Sequence, residues 1–71
     1  MTNAIRILGL DPGLRRTGWG VVAIDGARLI HVAHGVIAPP DKLSLAERLL
    51  VLFEQISLII ETHAPHEAAI E

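Results

Sequence analysis

The sequence predicts an α/β fold, a mixed four-stranded sheet crossed by one helix in the order β-β-β-α-β. Three observations carry that expectation. Four short apolar runs are bounded by turn residues, the pattern of strands. One longer stretch places its apolar residues at helical spacing. The pair Asp25-Gly26 lies between two of the apolar runs, a strong local signal for a two-residue hairpin.

The first strand is expected over Ala4 to Leu10, a run of leucine, isoleucine and small residues stopped by Asp11-Pro12-Gly13. The second spans Thr17 to Ile24 and ends at the Asp25-Gly26 turn. The third spans Ala27 to Ala38; its alternation is not clean, and Gly35 is the residue expected to mark a bulge. Pro39-Pro40 closes the sheet segment. Ser44 with Glu47 three residues on is a capping-box pattern and opens the helix. Leu45, Leu49, Leu52, Phe53, Ile56, Ile59 and Ile60 fall on one helical face, and Glu47, Arg48, Glu54, Gln55 and Glu61 on the other. The helix is expected to run to about Thr62, with Pro65 beyond its end. Ala68-Ala69-Ile70-Glu71 reads as the start of a fourth strand.

The first three strands are expected to form an antiparallel meander. A strand–helix–strand crossover then returns the fourth strand parallel to the third, and hence to the first. If the fourth strand pairs beside the first, their carboxyl-side ends sit together. Asp11 and Glu71 would then be close in space despite their separation along the chain.

Composition limits what such a chain does alone. Its 71 residues make at most one domain, yet 51% of them are hydrophobic. A domain of this size buries only about 60% of its unfolded surface, so the apolar content exceeds the interior available. The expectation is that residues 1–71 are a segment of a single domain whose remainder covers one side of the sheet; a small oligomer is the alternative. No cysteine is present, and the four histidines do not form a structural zinc pattern. Asp11 interrupts the apolar start before a secretory core could form, and no apolar run approaches the roughly 18 residues needed to cross a bilayer. A soluble, cytoplasmic protein is expected, with no membrane partner. A net charge of −2 gives no basic footprint for nucleic acid within these residues.

Asp11 and Glu71 are the candidate chemical residues. Each ends an apolar run, where a carboxylate is costly unless paired or bound to a cation. Hard oxygen ligands on neighbouring strands suit Mg²⁺ or Mn²⁺. In two-metal phosphodiester cleavage, ions about 3.5–4 Å apart stabilise the attacking and leaving oxygens. Such a site ordinarily uses three or four acids, and only two candidates are present. On spacing alone, Asp11 fits equally well as a turn residue and Glu71 as a solvated one.

The stretch Ile7-Leu8-Gly9-Leu10-Asp11-Pro12-Gly13-Leu14-Arg15-Arg16-Thr17-Gly18-Trp19-Gly20-Val21-Val22 closely resembles the start of the RuvC-type Holliday-junction resolvases. Ala69-Ile70-Glu71 resembles the family's Ala-Ile-Glu segment on its fourth strand, and the helix opened by Ser44 and bearing Ala46, Glu47, Arg48 and Leu49 fits as well. The resemblance spans essentially the whole chain. It implies a ribonuclease H-like sheet with Asp11 and Glu71 as catalytic metal ligands. It also implies a homodimeric endonuclease that cuts four-way DNA junctions with Mg²⁺ or Mn²⁺ in recombination and repair, beside a branch-migration motor. The family's remaining acids, its dimer helix and its junction-gripping surface have no counterpart in these residues. The chain by itself is therefore expected to bind metal weakly and cleave nothing.

Three other readings compete. Nuclease-like proteins of ribosomal RNA processing also begin with an Asp-Pro-Gly loop, but Thr17 to Val22 resembles the resolvase more closely. An actin-like ATPase or sugar kinase would bind nucleotide through a second glycine-rich loop. A binding module with vestigial acids would be indifferent to Asp11→Asn. Of the remaining residues, Gly13, Gly18 and Gly20 are expected to serve turn geometry and close backbone approach, since a nucleotide-binding Gly-x-x-x-x-Gly-Lys is absent. Arg15 and Arg16 fit a DNA phosphate or open solvent equally. Trp19 is expected to pack on the second strand. His31 and His34, three apart on a strand, are expected on opposite faces, unable to share a metal. One of His63 and His66 is expected to cap the helix.

Overall fold

The computed structural model describes residues 4–71. Three strands, β1 (Ile5–Pro12), β2 (Thr17–Asp25) and β3 (Arg28–Ile37), precede helix α1 (Leu45–His63) and strand β4 (Glu67–Ile70). The sheet order is β3-β2-β1-β4. The first three strands pair antiparallel, and β4 runs parallel to β1 with Leu10 opposite Ile70. The expected mixed sheet and the crossover onto β1 are both present.

Local chemistry explains the boundaries. Asp11 and Pro12 continue β1 two residues past the expected end, because they stay paired with Gly18 and Thr17. The hairpin loop is Gly26-Ala27, closed by the pair Asp25–Arg28, so the turn sits one residue later than the Asp-Gly signal implied. Of the two loop residues Gly26 takes a positive φ, 62°, which places glycine at the first central position of the turn. At the helix start, Ser44 Oγ accepts the Glu47 N–H at 3.2 Å, while the Ser44 N–H donates to Glu47 Oε1 at 3.0 Å. The expected capping box is complete.

The helix end is held by Arg6, a residue distant in sequence. Ala64 turns into the left-handed region at φ 46°. The Arg6 guanidinium reaches across from β1 and donates to the His63 carbonyl at 2.8 Å and the Ala64 carbonyl at 3.1 Å. His66 does not cap the helix; its Nδ1 accepts the Arg6 backbone N–H at 3.0 Å, and its own N–H donates to the Arg6 carbonyl. Arg6 thus joins the helix exit to the start of β4.

The core lies between α1 and one face of the sheet, where Leu8, Val21, Ile37 and Ile59 are buried. Leu10, Trp19, Leu52 and Ile56 pack around them. The seven apolar helix residues expected on one face do not all meet the sheet. Leu45, Leu49, Phe53 and Ile60 are exposed, Phe53 at 68%, so α1 carries a second, open apolar surface. Arg48, expected on the polar face, instead shares the sheet-facing stripe. Its Nη2 donates to the Leu14 carbonyl at 3.3 Å, and its Nε is buried without a partner among the described residues. No helix among the described residues is long and apolar enough to cross a membrane.

Candidate active site

The sheet's other face is open, and the two predicted acids meet there. Asp11 lies near the end of β1, opposite Gly18 of β2. Glu71 directly follows β4, and its backbone N–H donates to the Leu10 carbonyl at 2.9 Å, which continues the parallel pairing. Both residues line one cavity of about 280 Å³, together with Gly9, Gly18, Gly20 and Ala69. The parallel register brings the carboxyl-side ends of β1 and β4 side by side, as the order of elements implied.

Glycines form the floor of this cavity. Gly9 and Gly20 are paired across β1 and β2, and neither raises a side chain. A Cβ built on Gly18 would lie 3.9 Å from the Asp11 Cβ, and one on Gly20 would lie 3.8 Å from the Ala33 carbonyl oxygen. These are ordinary contact distances, so folding does not demand glycine at either place; a side chain there would fill the cavity instead. Gly18 and Gly20 therefore serve neither the turn nor the close backbone approach expected of them: both lie inside β2, where their missing side chains leave the cavity open. Gly13 is the turn glycine: its N–H donates to the Arg16 carbonyl at 2.8 Å, and a Cβ there would meet that oxygen at 2.7 Å.

The apolar surroundings expected to make these carboxylates costly are absent. Asp11 and Glu71 are both exposed, so burial does not force a cation on them. What favours one is the chemistry of the donors: two carboxylates and no softer ligand line the cavity, an oxygen set that suits Mg²⁺ or Mn²⁺. Among the described residues, no group of three or more histidine, cysteine or acidic side chains is placed to hold a metal ion. The two acids fit a largely hydrated ion, with other positions left for water or substrate oxygens.

The neighbouring residues divide by face. Trp19 packs as expected, its indole against the Gly35 backbone and its ring centroid 5.8 Å from that of His63. Arg15 forms an exposed ion pair with Asp41 at 3.1 Å, tying the loop after β1 to the segment before α1. Such a pair contributes little to stability in water.

Residues 7–71 match the family described as crossover junction endodeoxyribonuclease RuvC. The chain belongs to that family. It is 65% identical over 66 residues to the crossover junction endodeoxyribonuclease RuvC of Caulobacter vibrioides, covering 93% of this chain and 39% of that one. The RuvC of Hyphomonas neptunium is 59% identical over 71 residues, covering all of this chain and 42% of the relative. This chain thus spans about two-fifths of the length of these RuvC relatives. Among solved structures, Thermus thermophilus RuvC superposes with a TM-score of 0.85 at 22% identity, over 93% of this chain and 44% of that one. A PPX-GPPA enzyme of Aquifex aeolicus superposes with a TM-score of 0.74 at 10% identity, over 94% of this chain and 26% of that one. Both likenesses are of fold alone, and they agree with the expected ribonuclease H-like mixed sheet.

Proposed function

We propose that this chain supplies two metal-holding carboxylates of an endodeoxyribonuclease that resolves four-way (Holliday) DNA junctions in recombination and repair. One observation carries the reading: Asp11 and Glu71 line a single glycine-floored cavity where two parallel strands end together. The family name and the identity with RuvC relatives support junction DNA as the substrate. Residues 1–71 are read as the amino-terminal part of one ribonuclease H-like domain. The further acids come from the remainder, and these residues alone do not cleave.

Asp11 and Glu71, at the shared end of β1 and β4, would hold the divalent metal, with Asp11 the ligand expected to serve both ions of a two-metal site. When bound, Mg²⁺ or Mn²⁺ supplies positive charge to the phosphodiester oxygens and eases deprotonation of water. Gly9, Gly18 and Gly20 leave room for the sugar–phosphate backbone against the sheet. Paired nicks across a junction require two such sites, which is the reason to expect a homodimer; a branch-migration motor is the expected partner, and the cytoplasm the expected location.

Substrate choice tests this reading. A chimera carries residues 1–71 in place of the matching segment of the Caulobacter RuvC. It is incubated with Mg²⁺ and either a four-way DNA junction, a linear duplex or a structured RNA. Paired nicks confined to the junction are the expected result. Preference for RNA, or no cleavage by a folded chimera, would overturn the assignment while leaving the fold intact.

A further inference from the structure

His31 and His34 do not face opposite ways. In a regular strand, residues three apart point to opposite faces. Here the pairing of β2 with β3 shifts between Val21 and Val22, whose partners are Ala33 and His31. Val32 is therefore an extra residue, a β-bulge, and it turns the two histidines to the same face. His31 Nε2 and His34 Nδ1 are hydrogen-bonded at 2.9 Å, one ring donating its N–H to the other, with ring centroids separated by 5.0 Å and the rings inclined at 53°. Bulges on edge strands often re-aim a side chain in this way.

We propose that this pair is a two-nitrogen site for a divalent transition-metal ion of the Cu²⁺ or Ni²⁺ type, separate from the carboxylate cavity. Imidazole is the preferred protein ligand of these ions, and tetragonal coordination is their common geometry. Nitrogens about 2.0–2.1 Å from one ion stand about 2.9 Å apart across a right angle, but about 3.3 Å apart across a tetrahedral one. An ion that displaces the proton of this hydrogen bond would find the two nitrogens already at the 2.9 Å of the right-angled bite. Both rings are on the exposed edge strand, so each can swing its lone pair toward a shared ion without disturbing the core. No third protein ligand stands beside them among the described residues, so water completes the shell and the ion remains exchangeable.

The site shares the open face with the candidate active site. His34 pairs with Gly20, which pairs with Gly9 on the cavity floor. A bound ion would place positive charge one strand beyond that floor. The donors keep the two sites distinct: nitrogen pairs take Cu²⁺ or Ni²⁺, and the carboxylates take Mg²⁺ or Mn²⁺.

Paramagnetic broadening in NMR tests the proposal. Substoichiometric Cu²⁺ is added to the full chain and, separately, to His31→Gln and His34→Gln, each first checked for an unchanged amide spectrum away from β3. The expected result is selective loss of the signals of residues 31–34, abolished by either substitution and retained in Asp11→Asn. Broadening centred on His63 and His66, or broadening near residue 32 that survives both substitutions, would overturn the site. So would the absence of any Cu²⁺ effect on the folded chain.

Discussion

Gly35 and Gly20 sit on neighbouring strands, yet the structure demands different things of them. A Cβ on Gly35 would meet the Trp19 indole at 2.8 Å from Nε1 and 3.0 Å from Cε2. These are atoms of the rigid ring itself, so the indole must shift as a whole, away from its present place beside the His63 ring. Gly35→Ala is expected to destabilise the chain by about 1–3 kcal/mol, the cost of overpacking, measurable as a lower urea midpoint at unchanged slope. Gly20 meets only ordinary contacts, and its added atoms would project onto the floor of the Asp11–Glu71 cavity. Gly20→Val is expected to leave the urea midpoint of the chimera within about 0.5 kcal/mol of the parent, as for a tolerated surface change. Its junction cleavage should fall at least tenfold, because the side chain occupies substrate space. Equal losses of stability and cleavage would show that Gly20 serves the fold and not the site.

Among the elements, α1 combines a locally written start with an end set by distant residues. Its first turn depends on Glu47, whose carboxyl is held below its ordinary value of 4.5 by the hydrogen bond from the Ser44 backbone N–H, with the Ser44 side chain adding to the effect. A carboxyl lowered in the folded state stabilises that state fully above its unfolded value, and the contribution fades as pH falls through the lower folded value. The chain is therefore expected to lose helix stability on acidification below about pH 4.5. Glu47→Gln, which keeps an acceptor for the Ser44 N–H, should flatten that dependence; circular dichroism melts at pH 3 and pH 6 would compare the two. An acid sensitivity identical in both proteins would assign the effect to other groups. The cap was legible because Ser44 and Glu47 are three residues apart. The helix end was not, since Arg6 lies 57 residues from His63 and meets it only through the tertiary fold. The bulge in β3 was expected at Gly35, but Gly35 pairs regularly with Trp19 and the extra residue is Val32, which no glycine or proline marks and only pairing with β2 reveals.

For the whole molecule, the order of elements carried most of the architecture. Strand polarity and a single crossover were enough to bring Asp11 beside Glu71, because a parallel β4 on β1 aligns their carboxyl-side ends. The extent of the core was less legible. Helical periodicity marked apolar positions but not which of them would find a sheet residue opposite, and Leu45, Leu49 and Phe53 did not. That uncovered surface, with a chain spanning about two-fifths of its relatives' length, supports reading these residues as one part of a larger domain. The claim that Asp11 and Glu71 form the cation-holding pair is tested most directly by junction cleavage in the chimera with Asp11→Asn and Glu71→Gln. Each substitution preserves shape and removes a charged ligand. Mg²⁺-dependent nicking reduced more than a hundredfold by either, with unfolding midpoints unchanged, is the expected result; nicking that persists in both at the parent's rate would contradict it.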